Sequence, residues 1–167
     1  MPALQPERRQ LLKAGALVWT VPVIAMATAA LAYASSGAVM AASSGTNPLQ
    51  PFSRRGTGGA FFIDANLTLR NTGTSSTSAL TVTITVPSGV SATGQVAPAD
   101  WSVTVLNTTQ VRFALLVPPA TQIAGPTGER VVSFTVRRSA GNASELITAV
   151  VDPGGGGIPG TITGTAS

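Results

Sequence analysis

The 167-residue sequence predicts an all-β domain, an antiparallel β-sandwich of about seven strands, preceded by a helical export signal. Three observations predict it. From residue 60 onward apolar and polar residues alternate with period two, the pattern of a strand with one face in a core. Nothing in that region repeats its apolar residues every 3.6 positions over a helical length. All nine prolines after residue 35 fall between the proposed strands, where a missing N–H disturbs no ladder. A domain of this size buries roughly 65–70% of its extended-chain surface, enough to fold without disulfides.

The first element is the export signal, residues 1–34. Residues 8–13 read Arg-Arg-Gln-Leu-Leu-Lys, and residues 14–31 are uncharged and apolar, with Leu17, Val18, Trp19, Val21, Val23 and Ile24 among alanines. Ala32-Tyr33-Ala34 then precedes Ser35. A basic start, an apolar run and a small-x-small site are the parts of a signal peptide. Cleavage is expected between Ala34 and Ser35, with Ala32 and Ala34 as the small residues that signal peptidase admits. A second small-residue site, Met40-Ala41-Ala42 before Ser43, ranks below it. A retained anchor stays open, because about 20 apolar residues can cross a bilayer, although Thr20, Pro22 and Thr28 weaken such a span.

The basic run resembles the twin-arginine translocation motif, Ser/Thr-Arg-Arg-x-Phe-Leu-Lys. Arg8 and Arg9 match the pair and Leu12 and Lys13 match the end, while Leu11 stands for the Phe and Glu7 for the Ser/Thr. The run through Trp19-Thr20-Val21-Pro22 is also similar to signal peptides of actinobacterial secreted proteins. The resemblance implies the twin-arginine translocase and signal peptidase as partners during export. It implies only transient membrane contact, through residues 14–34, and a secreted or cell-surface location after cleavage.

Residues 35–59 are rich in Gly, Ser and Pro and read as a linker or a frayed first strand, with Leu49 and Phe52 as its apolar members. The sandwich is expected over residues 60–167. Phe61, Ile63, Ala65, Leu67 and Leu69 share one face, against Phe62, Asp64, Asn66, Thr68 and Arg70 on the other. Asn71-Thr72-Gly73 starts a turn, and Leu80, Val82, Ile84 and Val86 alternate with threonines until Pro87-Ser88-Gly89. Trp101, Val103 and Val105 form a strand. A loop at Asn107-Thr108-Thr109 leads to the next, with Val111, Phe113 and Leu115. Further strands follow at Val132, Phe134 and Val136, at residues 145–151, and at residues 160–166. Trp101, Phe113, Phe134, Leu67, Val82 and Ile84 are the predicted core.

The strand ending in Asn71-Thr72-Gly73, the strand ending in Pro87-Ser88-Gly89, Trp101-Ser102-Val103 and Val132-Ser133-Phe134-Thr135-Val136 together resemble a known pattern. It is that of the conserved-repeat domains of unknown function in bacterial surface proteins, matched over about residues 60–152. That resemblance implies an immunoglobulin-like sandwich in a secreted or cell-surface setting, and it carries over no catalytic residue.

Composition narrows the chemistry. The chain has no Cys and no His, so disulfides, thiolate nucleophiles and the commonest general base and metal ligand are all missing. Its net charge of +4 comes from scattered arginines rather than a dense stripe with interleaved aromatics, which argues against nucleic acid as a partner. Asp64, Asp100, Glu129, Glu145 and Asp152 lie in no catalytic motif and are expected at the surface. Gly155-Gly156-Gly157-Ile158-Pro159-Gly160 fits a dinucleotide fingerprint by letters, but Pro159 and a strand follow where a helix is needed. Thr81, Thr83 and Thr85 form one outward threonine row, ordinary for an exposed strand. No catalytic, cofactor or metal residue is expected, and the chain is not read as an enzyme. The expected function is a non-enzymatic structural or interaction module outside the cell. The alternative is a ligand binder, for example of cell-wall glycan, using loops or Phe62. No sorting motif or apolar tail is seen at the C-terminal end, so any retention on a wall is expected to be non-covalent.

Overall fold

A computed structural model describes residues 37–45, 50–57, 60–117, 122–139 and 144–166. The expected export-motif residues Arg8, Arg9, Leu11, Leu12 and Lys13 lie outside the described residues, as do Ala32, Ala34 and Ser35 at the expected cleavage site. The described residues contain nine strands and no helix. They are β1 (Met40–Ser44), β2 (Phe52–Thr57), β3 (Ala60–Asn71), β4 (Thr81–Thr85), β5 (Trp101–Val105), β6 (Gln110–Leu115), β7 (Glu129–Arg138), β8 (Leu146–Asp152) and β9 (Gly160–Thr165).

Every strand pairing is antiparallel, in two sheets. In the first, the 12-residue β3 is the centre. One of its edges takes β7, from Phe61 opposite Arg138 to Arg70 opposite Glu129. The other edge is shared end to end by two short strands, β1 opposite residues 67–71 and β2 opposite residues 60–65. The second sheet has the order β5-β6-β4-β8-β9.

The two sheets meet through their apolar faces in a sandwich-like arrangement. The period-two pattern dictates which side chains enter: Ile63, Ala65, Leu67 and Leu69 from β3, Val82 and Ile84 from β4, Val111 and Phe113 from β6, Ile147, Ala149 and Val151 from β8. All six residues predicted from the sequence as core are buried. Phe134 of β7 joins the sheets, stacking on Phe113 with centroids 4.3 Å apart and meeting Trp101 edge-on at 5.0 Å.

Two strands come from the stretch read as a linker or frayed start. Its low hydrophobicity hides β1, which contributes only Met40 fully to the core. The segment ahead of it closes the seam between the sheets. Thr72 N–H donates to Val39 O on one side, while Met40 N–H donates to Ile158 O and Ile158 N–H to Ala38 O on the other. Segment 90–96 similarly lies along the outer edge of β7, where Val96 and Thr135 exchange both backbone hydrogen bonds. The glycine run after Pro153 forms the β8–β9 connection, with Gly154, Gly155 and Gly156 at positive φ.

Candidate functional site

The carboxylates are the residues most able to do chemistry, so their surroundings decide what the domain offers. Asp64 lies on the outer face of β3. Arg55 Nε donates to its Oδ2 at 2.6 Å and Nη2 to Oδ1 at 3.2 Å, and the Thr135 hydroxyl donates to Oδ1 at 2.6 Å. Three adjacent strands are thus tied through one carboxylate, because Arg55 is on β2 and Thr135 on β7. The side-chain hydrogen bond to Asp64, then its charge, raises the already high pKa of Arg55. The guanidinium also lies 4.8 Å over the ring of Phe62. Phe62, the aromatic expected on an outer face, is half-buried under its own neighbour.

Asp100, just before β5, pairs with Arg130 of β7. Glu129 faces Arg70 in register across β7 and β3, both on the exposed side. Asp152 accepts from the N–H of Gly154 at 2.8 Å and so caps the first left-handed residue of its own turn.

Glu145 departs from the surface reading. Its carboxylate meets the guanidinium of Arg138 at the end of β7, and only 11% and 2% of the two side chains are exposed. Ser88 completes the cluster: its N–H and hydroxyl donate to the two carboxylate oxygens at 2.7 and 2.8 Å, and its oxygen accepts from Arg138 Nε at 2.9 Å. The Pro87-Ser88-Gly89 turn, the end of β7 and the start of β8 are locked together by one charge pair. Such a pair is tolerated in a core only when further hydrogen bonds satisfy its remaining atoms.

Asn71 is the residue that sequence reasoning missed. It is fully buried at the end of β3. Its Oδ1 accepts from the N–H groups of Val39 (3.1 Å) and Gly73 (3.0 Å), and its Nδ2 donates to the carbonyls of Ser75 (2.7 Å) and Ile123 (3.1 Å). All four hydrogen-bonding positions of the amide are used. The Asn-x-Gly spelling gave the turn, but not the contacts with residues 39 and 123. Gln122 works in the same way nearby, accepting from Thr77 Oγ1 and Leu80 N–H and donating to Ser78 O and Val117 O.

The outer face of the second sheet is hydroxyl-rich. One threonine row is legible in the sequence, but the strand order places Thr161, Thr163 and Thr165 of β9 on the same face as Thr81, Thr83 and Thr85 of β4. Thr85, Thr148 and Thr163 line up across three strands. This surface carries few charges and is interrupted by Arg112, Leu146, Val150 and Asp152.

Among the described residues, no three acidic side chains gather where a metal ion could be held. The arrangement ties strands and turns together through charge pairs and amides. No protein-family model matches the chain, and no curated protein matches it either.

Proposed function

We propose that the chain is a non-enzymatic structural or interaction module, exported through a twin-arginine-type signal and working outside the cell as a secreted or surface-held immunoglobulin-like domain. One observation carries this reading. Four of the five described carboxylates sit in an inter-strand, inter-loop or turn role: Asp64 with Arg55, Asp100 with Arg130, Glu145 with Arg138, and Asp152 on its own turn, while Glu129 stands opposite Arg70 in register on the exposed side. Groups used as ties between strands are not held ready for proton transfer to a substrate.

The immunoglobulin-like reading is supported by chain order. Taking β3 and β7 as the central pair of one sheet, and β4, β8 and β9 as neighbours in the other, reproduces the B–E and C–F–G pairings of that fold. The departure is the β5–β6 hairpin, whose second strand rather than its first lies beside β4. The cleavage reading draws support from β1. A cut after Ala34 leaves that strand whole, whereas a cut before Ser43 would remove the buried Met40.

Single replacement of Asp64, Asp100 and Asp152 by Asn tests the reading. Each variant is expected to lower the melting temperature modestly and to leave any surface phenotype unchanged in proportion to folded protein. A large phenotype loss in a variant with unaltered melting would mark a chemical site and overturn the reading. A pull-down of purified mature protein on cell-wall glycan separates a scaffold from a dedicated glycan binder.

A further inference from the structure

Segment 37–41 lies in a slot made for a strand backbone. Three glycines line it, Gly73 and Gly157 in two connections and Gly160 at the start of β9, and none of them has a positive φ that would itself call for glycine. A Cβ at Gly73 would fall 1.9 Å from Gly37 O and 2.6 Å from Val39 N; one at Gly157 would fall 2.6 Å from Ala38 O; one at Gly160 would fall 2.5 Å from Met40 O. Real Cβ atoms do not approach backbone this closely, so these positions are glycine because a strand passes there. The slot also supplies polar partners from both sides: Asn71 Oδ1 and Thr72 N–H from the first sheet, Ile158 N–H and O from the second. Ala38 and Met40 fill the apolar floor, each about 5% exposed or less.

β1 and β2 follow one another in the same direction along one edge of β3. Along the edge of β3, Ser44 pairs with Leu67 and Phe52 with Ala65. The two pairings leave only Asn66 between them on β3, while seven residues of sequence, 45–51, separate them on the other chain segment. Residues on either side meet Asn66: Gly45 N–H donates to Asn66 O, and Asn66 N–H donates to Pro51 O, each at 2.9 Å. Stretched out, seven residues span roughly 25 Å, enough to carry β1 out of its own slot and into that of a neighbour.

We propose that segment 37–44 is an exchangeable strand, and that a second copy of this chain is the partner that fits the slot. The inference rests on the export reading above, because cleavage after Ala34 leaves the strand at a free end. A donated strand makes the same contacts as the resident one, so exchange loses no hydrogen bond and no buried surface. What opposes it is tethering, since a strand held by a short linker is present at its own slot at an effective concentration of about millimolar. Exchange is therefore favoured where copies are crowded or fold side by side.

The chain contains no Cys, which makes the test direct. Ser43 and Thr68 are register partners across β1 and β3, outside the core, at a spacing that a disulfide can bridge. Two single variants of the mature protein, Ser43→Cys and Thr68→Cys, are mixed unfolded, refolded together at high concentration and oxidised. A disulfide between them reports a strand of one copy in the slot of the other. The expected result is a mixed covalent dimer well above a control in which Thr163→Cys, on the far sheet, replaces Thr68→Cys. The double variant Ser43→Cys/Thr68→Cys, refolded dilute, is expected to close within one chain and so proves the geometry. No mixed dimer above the control, with the double variant closing internally, overturns strand exchange and leaves the structural-module reading standing. Failure of the double variant to close in either way removes the strand from the slot and overturns the proposal as well. Absence of the native protein from the cell exterior would instead overturn the export reading, independently of either disulfide result.

Discussion

Asn71 and the Arg138–Glu145 pair show how few polar groups hold the connections of this domain in place. Replacing Asn71 by Ala leaves the N–H groups of Val39 and Gly73 without their acceptor, while the carbonyl of Ile123 keeps the N–H of Thr77. At about 1–3 kcal/mol for an unsatisfied buried group, urea unfolding is expected to show a loss of several kcal/mol. A loss below about 1 kcal/mol would mean that water replaces the amide. Arg138→Met alone leaves Glu145 buried without its cation and is expected to cost about 3–5 kcal/mol, while the double change Arg138→Met/Glu145→Leu recovers most of it. A double-mutant cycle by chemical denaturation measures the difference. Trp101 belongs to the same scale. It is 5% exposed against Phe134, and truncation to Ala is expected to cost about 3–5 kcal/mol. Its indole N–H is buried and finds no hydrogen-bond partner among the described residues, so Trp101→Phe should cost clearly less than the Ala change.

At the scale of elements, strands that carry their own apolar rows were legible. β3, β4, β6, β7 and β8 alternate in sequence as they do in burial, and their ends fall within a residue or so of expectation where Pro or Gly follows. Met40–Ser44 was not legible because its sequence, Met-Ala-Ala-Ser-Ser, offers one large apolar side chain. Its stability comes from elsewhere in the chain: Asn71, Ile158 and three glycines far along the sequence. The same reason hid the Glu145 cluster, whose members are separated by 57 residues from Ser88 to Glu145. Alternation gave the faces of Asp64 and Phe62, but which arginine reached them depended on the β2–β3 register. Gly160→Ala tests the element directly. The methyl group would press on Met40 O, with an expected cost of about 1–3 kcal/mol and faster hydrogen exchange in residues 37–44. Gly56→Ala, where a Cβ meets only ordinary contacts from 3.7 Å, is the matched control and should leave those amides protected.

For the molecule as a whole, the proposed export route and the response of the fold to force can each be tested. If the paired arginines are read by the twin-arginine translocase, replacing Arg8 and Arg9 by Lys keeps the charge but removes the planar guanidinium forks. Precursor is then expected to accumulate inside the cell, visible by immunoblot of fractions. Normal export of the Lys-Lys variant would leave only a general export signal. The bridge between Val39 and Ile158 is parallel, so β1 and β9 run in the same direction on either side of the seam. Residue 37 therefore lies just ahead of β1 while residue 166 follows the end of β9. Tension between the two ends pulls them past each other lengthwise, and the bonds of Ala38, Val39 and Met40 to their neighbours bear the force together rather than one at a time. A domain tied in this way yields abruptly at a single high force instead of peeling open. In a single-molecule pulling experiment that first rupture should weaken sharply in Gly160→Ala, because the substitution loosens the strand on which the whole load converges.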